Sequence, residues 1–236
     1  MTHIMVPDGV FPPWLWIGGW VLAVICLGLA LRAIRSSDTV RMLPLAATMA
    51  AVMTIAMSLP TDFLNYELHL TVLSGILLGP AYGLLATFVF MVLRMLVGDG
   101  AITMLGLNTI IVGIETVGGY YLFRALSRIW RSPRQVGINA GIATVIALAI
   151  ATLVFLAVVA ISQADLTAVA DPDLLARTGL EDPGLLAYAS VVLGLGAIGW
   201  IIEAVVVGAI TAFIGAVRPS LIAAAPDPHI FRKLRN

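Results

Sequence analysis

This 236-residue chain is poor in charge, with one cysteine and one lysine, and each scarcity closes off a class of chemistry. Only 11% of residues are charged while 61% are apolar, far outside the mix of a water-soluble domain. The lone cysteine, Cys26, lies inside an apolar run, which excludes an internal disulfide and a cysteine-rich metal site. The lone lysine, Lys233, is near the last residue, so no G-x-x-x-x-G-K-[ST] phosphate loop can exist and the chain is not expected to hydrolyse ATP. Formal net charge is zero, and no nucleic-acid partner is expected. No cleaved signal peptide is expected either, because the first residues lack a basic region and the first apolar segment is of full membrane length.

What is present is a series of apolar stretches of about 20 residues or more, the length that crosses a bilayer. They fall near 13–33, 42–59, 69–97, 104–126, 137–162 and 184–217. The third is too long for one helix and is interrupted by Gly79-Pro80-Ala81-Tyr82-Gly83, which predicts a tight turn between helices over 68–79 and 81–97. The fold expected is an all-α polytopic bundle of about seven transmembrane helices in one domain over residues 1–236. Basic residues cluster in alternate loops: Arg32, Arg35 and Arg41; Arg124, Arg128, Arg131 and Arg134; Arg218, Arg232, Lys233 and Arg235. The opposite loops carry Asp62, Glu67, Asp99, Asp165, Asp171, Asp173, Glu181 and Asp182. The positive-inside rule therefore predicts an N-out, C-in protein of the cell membrane, with Arg94 and Arg177 as the exceptions. Residues 1–12 become an extracytoplasmic tail, 163–183 an outer loop and 218–236 a cytoplasmic tail.

This topology brings His3, His69, Asp99 and Asn108 to the outer face, and two of the three histidines meet there. The third, His229, reads as a solvated residue of the cytoplasmic tail. A terminal amine, deprotonated backbone amides and an imidazole can close chelate rings around one ion, and four nitrogens of that kind suit square-planar Ni(II) or Cu(II). Read singly, His3 is an exposed residue of a loose tail, His69 a polar helix end and Asp99 a turn residue between Gly98 and Gly100. A metal-bound imidazole also needs an acceptor for its second nitrogen, for which Asp99, Asp8 and Glu67 are the candidates.

Several segments combine into a resemblance. His3-Ile4 with Pro7-Asp8-Gly9, His69-Leu70 before Leu77-Leu78-Gly79-Pro80, and Gly98-Asp99-Gly100 with Thr103, Leu105-Gly106 and Asn108 follow one another in a familiar order. Over residues 1–125 the chain resembles the cobalt/nickel-specific substrate-binding (S) components of energy-coupling-factor (ECF) transporters, the CbiM/NikM family. The resemblance implies binding and uptake of Ni(II) or Co(II) as transported substrate, with no organic cofactor. It implies a square-planar site of the terminal amine, His3 and His69, with Asp8, Asp99 and Asn108 as supports. The family usually begins Met-His, whereas this chain begins Met1-Thr2-His3. Removal of Met1 makes Thr2 the terminal amine and restores the spacing; retention lets Met1-Thr2-His3 close the square without His69. The segment from His3 to Pro7 is also two residues longer than the family's shorter form, which leaves the role of Asp8 open.

The partners implied are a transmembrane coupling subunit, two ATPase subunits and a small accessory membrane subunit. Ala46, Ala47, Ala50 and Ala51 give small residues at i and i+4 twice over, a candidate docking face for the coupling subunit. Glu115 and Glu203 lie inside apolar spans, which by itself flags function and points to the alternative of a proton-coupled secondary transporter. Either could also neutralise Arg94. No internal repeat supports that alternative. A membrane enzyme ranks last, because no nucleophile with an adjacent base is evident on the outer face.

Overall fold

The computed structural model describes residues 6, 8–34, 36–58, 67–98, 100–130, 132, 135–169 and 184–223. Thr2, His3, Asp99, His229, residues 170–183 of the outer loop and residues 224–236 of the C-terminal tail lie outside the described residues. The architecture is all-helical among the described residues: α1 (Pro13–Ala33), α2 (Ser36–Met57), α3 (Thr71–Val97), α4 (Leu105–Ile129), α5 (Val136–Ser162), a single turn α6 (Leu166–Val169) and α7 (Leu185–Val217), then a 3-10 turn, Pro219–Leu221. Pro13 opens α1 at a position where the missing N–H costs nothing. Large apolar side chains such as Val24, Leu31, Ile55, Ile201 and Phe213 face outward, as a lipid-facing surface requires. The polar side chains Asn108, Glu115, Thr116 and Glu203 are buried within.

By length and composition α1, α2 from Thr39, α3, α5 and α7 qualify as membrane spans. Helix α4 was also expected to span and has 25 residues, enough in length. It is less apolar because it is central: it packs against α1, α3 and α5 and carries Asn108, Thr109, Glu115 and Thr116 on buried positions.

Helix α3 is a hairpin. A straight helix of 27 residues is about 40 Å long, yet Glu67, just before it, lies 3.4 Å from Arg94 near its end. The chain turns back at Gly79, whose φ of 78° and ψ of 175° belong to a region open essentially only to glycine. Pro80 follows, starting the second arm without the N–H that the turn leaves unpaired. Gly75 on the first arm and Gly83 on the second both lie against Thr116 of α4 and approach each other so closely that a methyl on Gly83 would sit 3.3 Å from the Gly75 Cα. The predicted pair of helices is therefore present, but the first arm, 71–78, starts three residues later than expected and is only about 12 Å long. Its Gly79 turn lies beside Tyr120 of α4 and Ala223 past α7, so the non-helical residues 67–70 and the short arm together run from one end of the bundle to the other.

The two ends of the bundle differ in charge. At one end Val6, Phe11, Met104, Phe155, Val159 and Tyr188 form a cluster in which the N-terminal segment is embedded, with Asp8 and Asp165 nearby in the chain. At the other, Arg124 and Arg128 occupy the last turns of α4, and Arg41 of α2 donates to the Ser220 carbonyl beyond α7 at 3.2 Å.

Candidate metal centre

The N-terminal segment is tied down before any chemistry is considered. Asn108, in the first turn of α4, accepts from the Val6 N–H through Oδ1 at 3.1 Å and donates through Nδ2 to the Val6 carbonyl at 3.2 Å. The Val6 side chain is 1% exposed. Asp8 accepts from the backbone N–H groups of Ile102 and Thr103 at 2.8 Å each and of Met104 at 3.4 Å, and from the Thr103 hydroxyl. Its slight burial pushes the carboxyl pKa up, but the bonds from the Thr103 side chain and from the three N–H groups outweigh this and hold it below 3.8. The negative charge also sits just before the positive end of α4. The open role of Asp8 is thus that of a peg joining the tail to the 102–104 turn.

His69 does not stand at the outer end of its span, as the sequence suggested. Residues 67–70 are non-helical and carry it into the bundle, where its side chain is 3% exposed. Its Nδ1 lies 3.3 Å from Oε2 of Glu115, which is ten residues into α4 and hence about 15 Å below the start of that helix. The same Glu115 oxygen accepts from Thr71 Oγ1 at 2.6 Å. From α7, Glu203 reaches the backbone: Oε2 takes the His69 N–H at 3.2 Å and Oε1 the Leu70 N–H at 2.9 Å. Both glutamates are fully buried.

Three expectations need correction. The acceptor on the second nitrogen of His69 is Glu115, while Asp8 is spent on the 102–104 turn and Glu67 pairs with Arg94. The counter-charge found for Arg94 is Glu67, rather than Glu115 or Glu203. The alanine face is split: Ala46 and Ala50 are buried in the core that α2 shares with α3, and only Ala47 and Ala51 are exposed. Glu115 and Glu203 were visible in the sequence as carboxylates inside apolar spans, but their joint hold on residues 69–71 depends on α4 and α7 meeting the first arm of α3.

Chemically the centre offers one imidazole on a fixed backbone, oriented by a carboxylate and placed beneath a tethered segment. His69 supplies the imidazole found among the described residues, and no group of three or more His, Cys, Asp or Glu side chains among them could hold a metal. Fold and centre define a multi-pass membrane protein with buried polar side chains in its interior. Comparison with known proteins then gives the family. CbiM, the cobalt uptake substrate-specific transmembrane region, matches residues 3–221, and the chain belongs to this family of membrane metal transport proteins. A protein of Haloquadratum walsbyi (strain DSM 16790 / HBSQ001) assigned to metal transport is 31% identical over 155 residues, covering 61% of this chain and 69% of that one. Two solved structures share the fold. A transition metal transporter superimposes with a TM-score of 0.67 at 17% identity, covering 98% of this chain and 100% of that one. A truncated transition metal transporter superimposes with a TM-score of 0.64 at 18% identity, covering 89% and 97%.

Proposed function

We propose that this chain is the substrate-binding subunit of an ATP-driven ECF-type importer of Ni(II) or Co(II), inserted N-out and C-in. The ion is held in a plane of nitrogens from the Thr2 amine, the His3 amide and imidazole, and the His69 imidazole. The observation that carries this reading is the placement of His69 below a tethered tail. Asn108 is seven residues above Glu115 on α4, about 10 Å along the axis. Three extended residues from Val6 back to His3 span about 10 Å, so His3 can reach the level of His69. With Nδ1 of His69 facing Glu115, Nε2 is the nitrogen directed to the ion, the arrangement that fixes ring orientation at metal sites.

Nitrogen ligands in a plane favour Ni(II) over Co(II) in the usual affinity order, so nickel is the preferred cargo. The chain has no phosphate loop, and energy is supplied by two ATPase subunits through a coupling subunit, with a small accessory membrane subunit completing the complex. The exposed pair Ala47 and Ala51 on α2 is the face through which the coupling subunit packs closely. Metal analysis and Ni(II) and Co(II) titration of the purified chain test the reading. A protein isolated without metal and with no measurable affinity for either ion would falsify it.

A further inference from the structure

We infer that Glu203 is the positioning residue that presents His69 to the transported ion, acting on the backbone of residues 69 and 70. This deepens the function proposed above and rests on it. Leu70 adopts a left-handed conformation, φ 55° and ψ 18°, although it has a Cβ. Such a conformation is strained for a residue with a Cβ and persists only where its surroundings impose it. Leu70 is also the N-cap of α3, a position at which Ser, Thr, Asp or Asn would bond its own helix, and it has no side chain able to do so. Glu203 takes over that task from 133 residues away in the chain. One carboxylate oxygen holds the N–H before the turn and the other holds the N–H within it.

The geometry has two consequences. The bent backbone turns the imidazole of His69 off the axis of α3 and toward Glu115. The carboxyl group also lies at the N-terminal end of the first arm of α3, where it takes up an N–H group that the helix itself leaves unpaired. Glu115 therefore sets the ring, while Glu203 sets the Cα from which the ring hangs. The two carboxylates, from α4 and α7, hold different groups of the same residue, the ring and the backbone N–H.

Glu203→Gln is the test, because glutamine keeps the shape but can offer only one acceptor to the two N–H groups. The full chain with its native N-terminus is purified in detergent, and amide hydrogen exchange of residues 67–74 is followed without metal. The amides of His69 and Leu70 are protected in the parent and exchange faster in Glu203→Gln. Titration with Ni(II) sulfate then gives an affinity about 10- to 100-fold weaker, the usual cost of losing a group that orients a ligand. At saturating Ni(II) the visible absorption band is unchanged, since the ligand set is the same. Glu203→Asp, shorter by one methylene, falls between the two. Unprotected 69–70 amides in the parent, an unaltered affinity in Glu203→Gln, or a shifted band at saturation each overturns the assignment, the last by making Glu203 a ligand. A parent chain that binds no Ni(II) defeats the proposed function instead, and the exchange data still report whether Glu203 caps the turn.

Discussion

Replacing Asn108 by alanine isolates the contribution of the tethered tail. Both backbone groups of Val6 are held by this one side chain, at 3.1 and 3.2 Å, and Val6 is almost completely buried. The substitution leaves a buried N–H and a buried carbonyl unpaired, at about 1–3 kcal/mol each if the tail stays in place. Water entering the gap beside Val6 takes the loss toward the lower end, about 2 kcal/mol in total. Opposing it are the buried side chains of Val6 and Phe11, at about 1.5–3 kcal/mol each, and the bonds to Asp8, so the tail loosens rather than leaves. Apparent affinity falls with the fraction of molecules whose tail is docked, so 2 kcal/mol weakens Ni(II) binding by at most about 30-fold. Asn108→Asp keeps an acceptor for the Val6 N–H but sets a carboxylate oxygen against the buried Val6 carbonyl, so it should not restore binding. Isothermal titration gives the affinity, and hydrogen exchange at Val6 reports docking. Fast exchange at Val6 with undiminished Ni(II) affinity refutes the claim that the tail must be docked for the ion to bind.

Further consequences can be measured directly. In a chain whose intact mass shows Met1 removed, His69→Ala loses most of the Ni(II) affinity; full-strength binding by that variant excludes His69 as a ligand. An N-terminal tag or acetyl group abolishes binding without unfolding the protein, and a tagged protein that binds normally excludes the amine. Affinity falls as pH drops from about 8 toward 6, because amine, amide and imidazole must all be deprotonated. Asp8 does not set this midpoint: its pKa lies below 3.8, so its hold on the 102–104 turn is complete above that value and is lost only as pH falls through the lowered pKa. Asp8→Asn therefore weakens binding at neutral pH without moving the midpoint, and a moved midpoint in the titration series contradicts this. Gly75→Ala places a methyl 2.0 Å from the Thr116 carbonyl oxygen and forces the hairpin off α4, at a cost of about 1–3 kcal/mol or more. Its thermal unfolding in detergent should begin clearly lower, and an unchanged melting temperature argues against the hairpin packing.

Hydropathy made the long helices legible, since α1, α2, α5 and α7 need only length and apolar side chains to be recognised. The break at Gly79-Pro80 was equally plain, because proline and glycine together leave a helix few continuations. The depth of His69 was not legible. An apolar run does not say how far its helix travels, and the short arm 71–78 reads like part of any span until its neighbours are known. The same limit applies to α2, where Ala46 with Ala50 and Ala47 with Ala51 have identical spacing, and only packing against α3 decides which pair turns inward. Asn108 was placed correctly at the top of α4, but its partner, the backbone of Val6, has no sequence signature at all.

The half-length arm of α3 bears on how the protein is made. About two turns of helix cannot be handed to the bilayer as an independent span, and the non-helical backbone at 67–70 is tolerated within the bundle only where protein surrounds it. The surrounding wall includes α4 and α7, which are synthesised after the arm itself. Glu203 follows His69 by 134 residues, so its two bonds to the 69–70 backbone can form only after α7 has been translated. A chain that stops short of α7 lacks the carboxylate that holds this backbone. The centre is thus assembled from the middle and the last span of the chain, and translation completes it only near its end.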